Sequence, residues 1–296
     1  MNTFTEKLYG HHSQLFTVDV ELHRGRTPFQ EVFIFENRLF GRVLVLDDIV
    51  QMTDRDNHIY HEMLAHVPLM AHGSVTRVLI IGGGDGGTLR EVLKHPVQRV
   101  VMVELDEDVI ELSKRYFPEV SDGAFDDPRV SLIIGNGAEY VRHNKEKFDI
   151  VIIDSTDPIG VGEQLFTSEF YEGCRRILQL GGIIGLQSGA PFYNPGQLTA
   201  ICSRLNRSFA SVRPFLAPVP TYAGGMLALV VAGDTHKSLR PPIKILRERF
   251  SRVQRRTTYY TPEVHRAAFT LAPAFSTETA PSGKDFGQCL STSDLR

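Results

Sequence analysis

Short apolar runs closed by glycine or a carboxylate alternate with helix-like patterns through the middle of the chain. Val78 to Ile81 leads into Gly82-Gly83-Gly84-Asp85-Gly86-Gly87 and then a helical pattern. That order predicts a buried parallel strand, a tight turn and the first turn of a helix. Val97 to Glu104 predicts the next strand, and Asp106 to Phe117 a helix opened by acidic residues, as its dipole prefers, and stopped by Pro118. Arg129 to Ile134 predicts a third strand, turning at Gly135-Asn136-Gly137 into a helix to about Asn144. Phe148 to Ile153 predicts a fourth, ending at Asp154. A helix over about 167–178, a strand at 183–187, a helix over 195–209 and an antiparallel pair at 212–216 and 226–232 follow. This alternation predicts an α/β fold with a doubly wound, mostly parallel sheet.

The first 55 residues read differently. Leu15 to Leu22, Glu31 to Phe35 and Arg38 to Leu46 are rich in β-formers, with Asn37 and Gly41 as turn residues. They predict a small antiparallel β domain over 1–55, too short to bury much area alone, and so packed on the larger domain or on a second subunit. From Arg55 to His72 the pattern turns helical, with Ile59, Met63 and Val67 on one face. The larger domain is expected over 56–275, and a polar, flexible tail over 276–296.

Among 296 residues, 42% are hydrophobic and 23% charged, ordinary for a globular chain. The net charge of −3 argues against a broad nucleic-acid surface, and no apolar run approaches membrane-span length. The start, MNTFTEKLYG, has no basic-then-apolar leader pattern, so a cytoplasmic setting is expected. Cys174, Cys202 and Cys289 lack zinc or redox spacing, and His58, His61 and His66 lack the spacing of a two-histidine zinc helix. No metal is expected.

The chemistry lies in the carboxylates that end the apolar runs. Gly82, Gly84 and Gly87 match a dinucleotide fingerprint, but Asp85 would place a negative charge beside a pyrophosphate. A ligand with a cationic end suits this loop better; Asp85 could also cap the helix. Glu104 lies 20 residues past Gly84, where a carboxylate accepts hydrogen bonds from ribose hydroxyls. Asp154 and Asp157, in Asp154-Ser-Thr-Asp157-Pro, sit at the same sheet edge. Clustered carboxylates are poor company for phosphate and good company for amines. An alkyl ammonium must lose a proton to become a nucleophile, at a cost of roughly 4–5 kcal/mol at neutral pH. A nearby aspartate can take that proton, more readily if its neighbours raise its pKa.

With these residues in view, the chain resembles the spermidine synthase family, the polyamine aminopropyltransferases, over roughly Leu8 to Phe275. The resemblance is carried by VLIIGGGDGGTLRE, Asp154-Ser-Thr-Asp157-Pro-Ile-Gly, Phe35-Glu-Asn, Gly41-Arg-Val, Ile59-Tyr60-His61-Glu62 and Pro220-Thr-Tyr222. It implies a Rossmann-like sheet of the S-adenosylmethionine-methyltransferase type and a homodimer or homotetramer. The implied reaction transfers an aminopropyl group from decarboxylated S-adenosylmethionine, a co-substrate rather than a cofactor, to putrescine. Spermidine and methylthioadenosine would be the products. Asp154 matches the proton-accepting aspartate, and Asp157 an amine-binding carboxylate in a slot lined by Tyr60 and Tyr222. Asp85 matches the residue that holds the donor's amine, Glu104 the ribose-binding acid, and Gln30 and His61 donor- and product-binding positions. Gly82, Gly84, Asn136, Gly137 and Val161 fall on the donor side.

Two positions depart from the family pattern. Asn136 stands where the family usually has an aspartate facing the adenine amino group; its side-chain carbonyl could still accept that bond. Val161 stands where proline is common. Three other readings compete: an amine N-methyltransferase using intact S-adenosylmethionine, whose carboxylate such a pocket would repel; a nicotinamide oxidoreductase, which Asp85 disfavours; and an oligomeric binding module without chemistry.

Overall fold

In the computed structural model, residues 2–158, 160–234, 239–253 and 256–272 are described. The tail expected over 276–296 lies outside these residues, as do Cys289 and the side chain of Val161.

The N-terminal segment forms a hairpin, β1 (Asn2–Tyr9) with β2 (His12–Val18), and an antiparallel sheet of β3 (Val20–Arg26), β4 (Glu31–Asn37), β5 (Gly41–Leu46) and β6 (Ile49–Thr53) in that order. The expected strand at Leu15 to Leu22 is therefore two strands in two sheets. The expected strand at Arg38 to Leu46 starts only at Gly41, because the side-chain oxygen of Asn37 accepts from the N–H groups of Leu39 and Phe40 and builds a turn there.

The second sheet has seven strands: β7 (Arg77–Gly82), β8 (Arg99–Glu104), β9 (Val130–Ile134), β10 (Phe148–Asp154), β11 (Leu178–Gln187), β12 (Ser211–Ala217) and β13 (Leu227–Gly233). Their spatial order is β12-β13-β11-β10-β7-β8-β9. The five strands from β11 to β9 are parallel, and β13 and β12 close the sheet antiparallel. Side chains alternate between two cores, Val78 and Ile80 on one face, Leu79 and Ile81 on the other. Burial on both faces is why β7, β8 and β10 read as unbroken apolar runs.

Helix α1 (Asn57–His72) was expected to bury one face, yet residues from Tyr60 to Ala71 are all buried. It lies between the sheet and a second helix, α2 (Gly87–Leu93), so it has no solvent face. Helix α3 (Glu107–Tyr116) ends at Phe117, immediately before Pro118 as expected, and Pro118 then opens a separate short helix, α4 (Pro118–Ser121), as its first residue. On the other face lie α5 (Gly137–His143), α6 (Ser168–Ile177) and α7 (Pro195–Leu205), the last ending four residues before the expected stop.

From β7 the chain moves outward through β8 and β9, then returns to place β10 on the other side of β7. The carboxyl ends of β7 and β10 therefore flank a topological switch point, the place where open α/β sheets form a ligand crevice.

Candidate active site

Strand order lays out the site. From β9 to β11, successive carboxyl ends carry Asn136 and Gly137, then Glu104, then Gly82 to Asp85, then Asp154 to Asp157, then Gln187 to Ala190. All of these positions except Ser188 contribute to one cavity. The N-terminal module roofs it, with Gln30, Leu44 and Leu46 toward the Glu104 side and Glu6, Tyr9 and Gln51 among the remaining lining residues. Tyr60 and Tyr222 complete the wall.

Gly82 and Asp154 are register partners at the switch point. Gly82 has φ of +83°, and a Cβ there would lie 2.1 Å from the carbonyl oxygen of Asp154. Glycine lets the β7 turn pass directly against the backbone that carries the aspartate. Gly87 does the same for His61, whose ring would lie 2.2 Å from an added Cβ.

Asp154 is buried. Tyr60 Oη donates to its Oδ1 at 2.6 Å, while Oδ2 has no hydrogen-bond partner among the described residues. Burial, then the neighbouring Asp85 carboxylate, raises its pKa above the usual aspartate range, with His61 opposing. Asp85 behaves oppositely. Burial alone would raise it, but the imidazole of His61, the N–H of Gly87 and Arg90 together hold it below the ordinary value. Its Oδ2 lies 3.2 Å from His61 Nε2, and its Oδ1 accepts from Gly87 N at 2.6 Å. Asp85 thus lines the cavity as expected but is not the N-cap of α2, which is Gly86; its bond to Gly87 N holds the turn that leads into the helix. Two adjacent carboxylates with pKa values pushed apart are a common arrangement for an acid–base group beside a charge-binding group.

Burial pushes Glu104 up to about 7, against opposing N–H bonds from Asp106 and Leu105. Gln30 is fixed nearby, donating through Nε2 to Asp106 Oδ2 at 2.8 Å. Asn136 corrects an expectation. Its side-chain oxygen accepts from Ala138 N and Glu139 N at 2.9 and 3.1 Å, capping α5. The carbonyl expected to face a base is engaged by the helix, and the amide nitrogen is the end left over.

Asp157 is raised by burial and held by Gln197 and Gln187. Tyr222 Oη donates to Gln51 O at 2.6 Å, and its ring meets Tyr60 edge-on at 6.2 Å. Buried Asp56 fixes the loop before Tyr222 by accepting from Thr221 N at 2.8 Å and from the Thr221 hydroxyl. The other two histidines weighed for metal point elsewhere: His66 bonds Glu91 and His95 in a separate buried cluster, and His58 is half-buried.

Glu6, Tyr9 and Gln187 are among the lining residues that escaped the sequence. Glu6 is buried, accepting from Val50 N and Gln14 Nε2, both at 2.8 Å. Burial raises its pKa against those two bonds. Tyr9 ends the same strand. Gln187 closes an apolar run much as Asp154 does, and its Nε2 donates to the carbonyls of Ser155 and Thr156. Its position at a strand end was a usable signal; Glu6 and Tyr9, in a mostly polar strand, gave none.

Comparison with known proteins agrees with this geometry. Residues 57–240 match the spermine/spermidine synthase domain, and residues 4–54 the spermidine synthase tetramerisation domain. Polyamine aminopropyltransferase 1 of Pseudomonas aeruginosa is 47% identical over 273 residues, 92% of this chain and 95% of that protein. The polyamine aminopropyltransferase of a Ruegeria species is 48% identical over 268 residues, 90% of this chain and 94% of its own. A spermidine synthase solved in complex with the transition-state analogue AdoDATO superposes with a TM-score of 0.88 at 39% identity, covering 94% of each chain. The spermidine synthase of Thermotoga maritima gives 0.85 at 38% identity, also covering 94% of each. Domain match, identity and superposition agree along nearly the whole described chain: it belongs to the spermine/spermidine synthase family of aminopropyl-transferring enzymes.

Proposed function

We propose that the protein transfers the aminopropyl group of decarboxylated S-adenosylmethionine to putrescine, giving spermidine and methylthioadenosine. The observation that carries this reading is the row of four carboxylates, Glu104, Asp85, Asp154 and Asp157, following one another along a single cavity. In this reading Glu104 accepts from the ribose hydroxyls of the donor, with Gln30, Gly82, Gly84, Asn136, Gly137 and Val161 around the nucleoside. Asp85, oriented by His61, holds the donor's terminal ammonium. Asp157 holds the far ammonium of the diamine, with Tyr60 and Tyr222 as walls.

The proton that the attacking ammonium sheds goes to Oδ2 of Asp154. The freed nitrogen lone pair attacks the carbon beside the sulfonium. The C–S bond breaks, and its electron pair returns to sulfur as a neutral thioether. A desolvated aspartate with a raised pKa suits this step, because it holds the proton more firmly than an exposed one. The match of the first 50 or so residues to a tetramerisation domain, and exposed Leu15, Val20 and Leu39 on that module, support a homo-oligomer built through it. No helix among the described residues is long and apolar enough to cross a membrane; a cytoplasmic setting is part of the proposal.

Two expectations test the assignments. Asp157→Asn should raise the KM for putrescine at least tenfold with a smaller change in kcat; an unchanged putrescine dependence would remove that role. Methylthioadenosine binding should weaken as the pH falls below about 7, the value to which burial raises Glu104. The sign follows from linkage: the ribose hydroxyls need an acceptor, so the nucleoside binds the carboxylate, and below that pH binding must expel a proton. The loss should approach about tenfold per pH unit. Calorimetric titration of wild type and Glu104→Gln from pH 5.5 to 8.5 checks it; a flat wild-type profile would contradict it.

A further inference from the structure

The cavity is closed beyond Asp157 by aromatic rings from separate segments. Tyr9, the last residue of β1, lines the cavity. His12 is its register partner across the hairpin turn, so the two rings share one face of the hairpin. Tyr193, from the loop after β11, lies against both, with ring centroids 4.7 Å from Tyr9 at 15° and 4.8 Å from His12 at 28°. Its seat is close-fitting: a Cβ on Gly224, where φ is +76°, would come within 2.7 Å of its ring. The N–H groups of Tyr193 and Asn194 both donate to Ala190 O, and Ala190 itself lines the cavity. Tyr9 is also hydrogen-bonded to the backbone of Ala190. In front of this wall stand two carboxylates, Asp157 and Glu6, and Asp157 is close enough to help raise Glu6.

We propose that Tyr9, held in place by Tyr193 and His12, is the end stop of the acceptor slot and restricts acceptors to short linear diamines. This rests on the reading given under Proposed function. The new C–N bond forms beside Asp154, so the three-carbon arm of the product lies on the donor side of it. The acceptor's own carbons run the other way, past Asp157 and toward Glu6 and Tyr9. A diamine ends on these carboxylates. A triamine, including the product spermidine, would have to drive its further aminoalkyl arm into a ring braced from behind by two others. Tyr193 touches no substrate in this arrangement and is a positioning residue.

The test is kcat/KM for putrescine, cadaverine and spermidine as acceptors, at saturating decarboxylated S-adenosylmethionine, in wild type, Tyr193→Ala, Tyr193→Phe and Tyr9→Leu. The wild type should prefer putrescine to spermidine at least a hundredfold. Tyr193→Ala and Tyr9→Leu should narrow that ratio at least tenfold by gaining spermidine turnover, with the KM for the donor unchanged. Tyr193→Phe keeps the stack and should keep the wild-type ratio. Equal use of putrescine and spermidine by the wild type would overturn the end stop, as would an unchanged putrescine-to-spermidine ratio or a uniform loss in Tyr9→Leu, the variant that leaves the loop after β11 intact. No turnover of any amine by the wild type would instead defeat the underlying reading of the site.

Discussion

Asp154→Asn is expected to lower kcat for spermidine formation by about 10²–10⁴-fold, the range typical of a lost general base, while methylthioadenosine still binds. The substitution is nearly isosteric. It leaves Oδ1 able to accept from Tyr60, whose 2.6 Å hydrogen bond sets the side chain's orientation. What it removes is the one oxygen that no described neighbour engages. It also removes a buried negative charge beside Asp85, a pair whose repulsion raises Asp154. Thermal stability should therefore be unchanged or higher, which separates loss of chemistry from loss of fold. Single-turnover formation of methylthioadenosine, followed beside a melting curve, checks both parts. Near wild-type turnover would remove Asp154 as the base, and a collapsed melting temperature would make it a structural residue.

Gly82→Ala should damage fold and activity together. Its φ of +83° costs a non-glycine residue roughly 1–3 kcal/mol, and the added methyl would lie 2.1 Å from the carbonyl oxygen of Asp154. Overpacking costs of similar size follow when the obstacle is backbone. Relief requires β7 and β10 to part at the switch point, which moves the aspartate with them. Urea unfolding should show a loss of several kcal/mol, and residual folded protein should have impaired turnover. Wild-type stability in this variant would show that the crossing of β7 and β10 is looser than described. By contrast, Gly123 and Gly135 have open space around them, and alanine at Gly135 should be tolerated because its φ is not positive.

The parallel half of the fold was legible because burial on both faces writes β7, β8 and β10 as unbroken apolar runs. The carboxylates Asp85, Glu104 and Asp154 were legible for the same reason: each breaks a run at its carboxyl end, where the sheet builds its crevice. The hairpin β1–β2 was less so. Strand β1 reads Asn-Thr-Phe-Thr-Glu-Lys-Leu-Tyr, and the hairpin's contribution comes from long-range partners, Glu6 of β1 with Val50 and Gln14 of β2 with the Thr221 carbonyl. No local pattern encodes those. Helix α1 reads as amphipathic because Ile59, Met63 and Val67 share one face, and the polar residues of such a helix ordinarily face water. They are instead buried and paired: Glu62 accepts from the N–H groups of Thr258, Tyr259 and Tyr260, and His66 contacts Glu91. Asn136 was read by residue type alone, and only the geometry shows that helix capping engages its oxygen.

One measurement reaches the centre of the account. The purified protein is mixed with decarboxylated S-adenosylmethionine and putrescine, and separately with intact S-adenosylmethionine and putrescine, and the products are separated and weighed. The expected result is methylthioadenosine and spermidine in equal amounts from the first mixture, with no methylated amine from the second. Methyl transfer from the intact donor, with no aminopropyl transfer from the decarboxylated one, would contradict it.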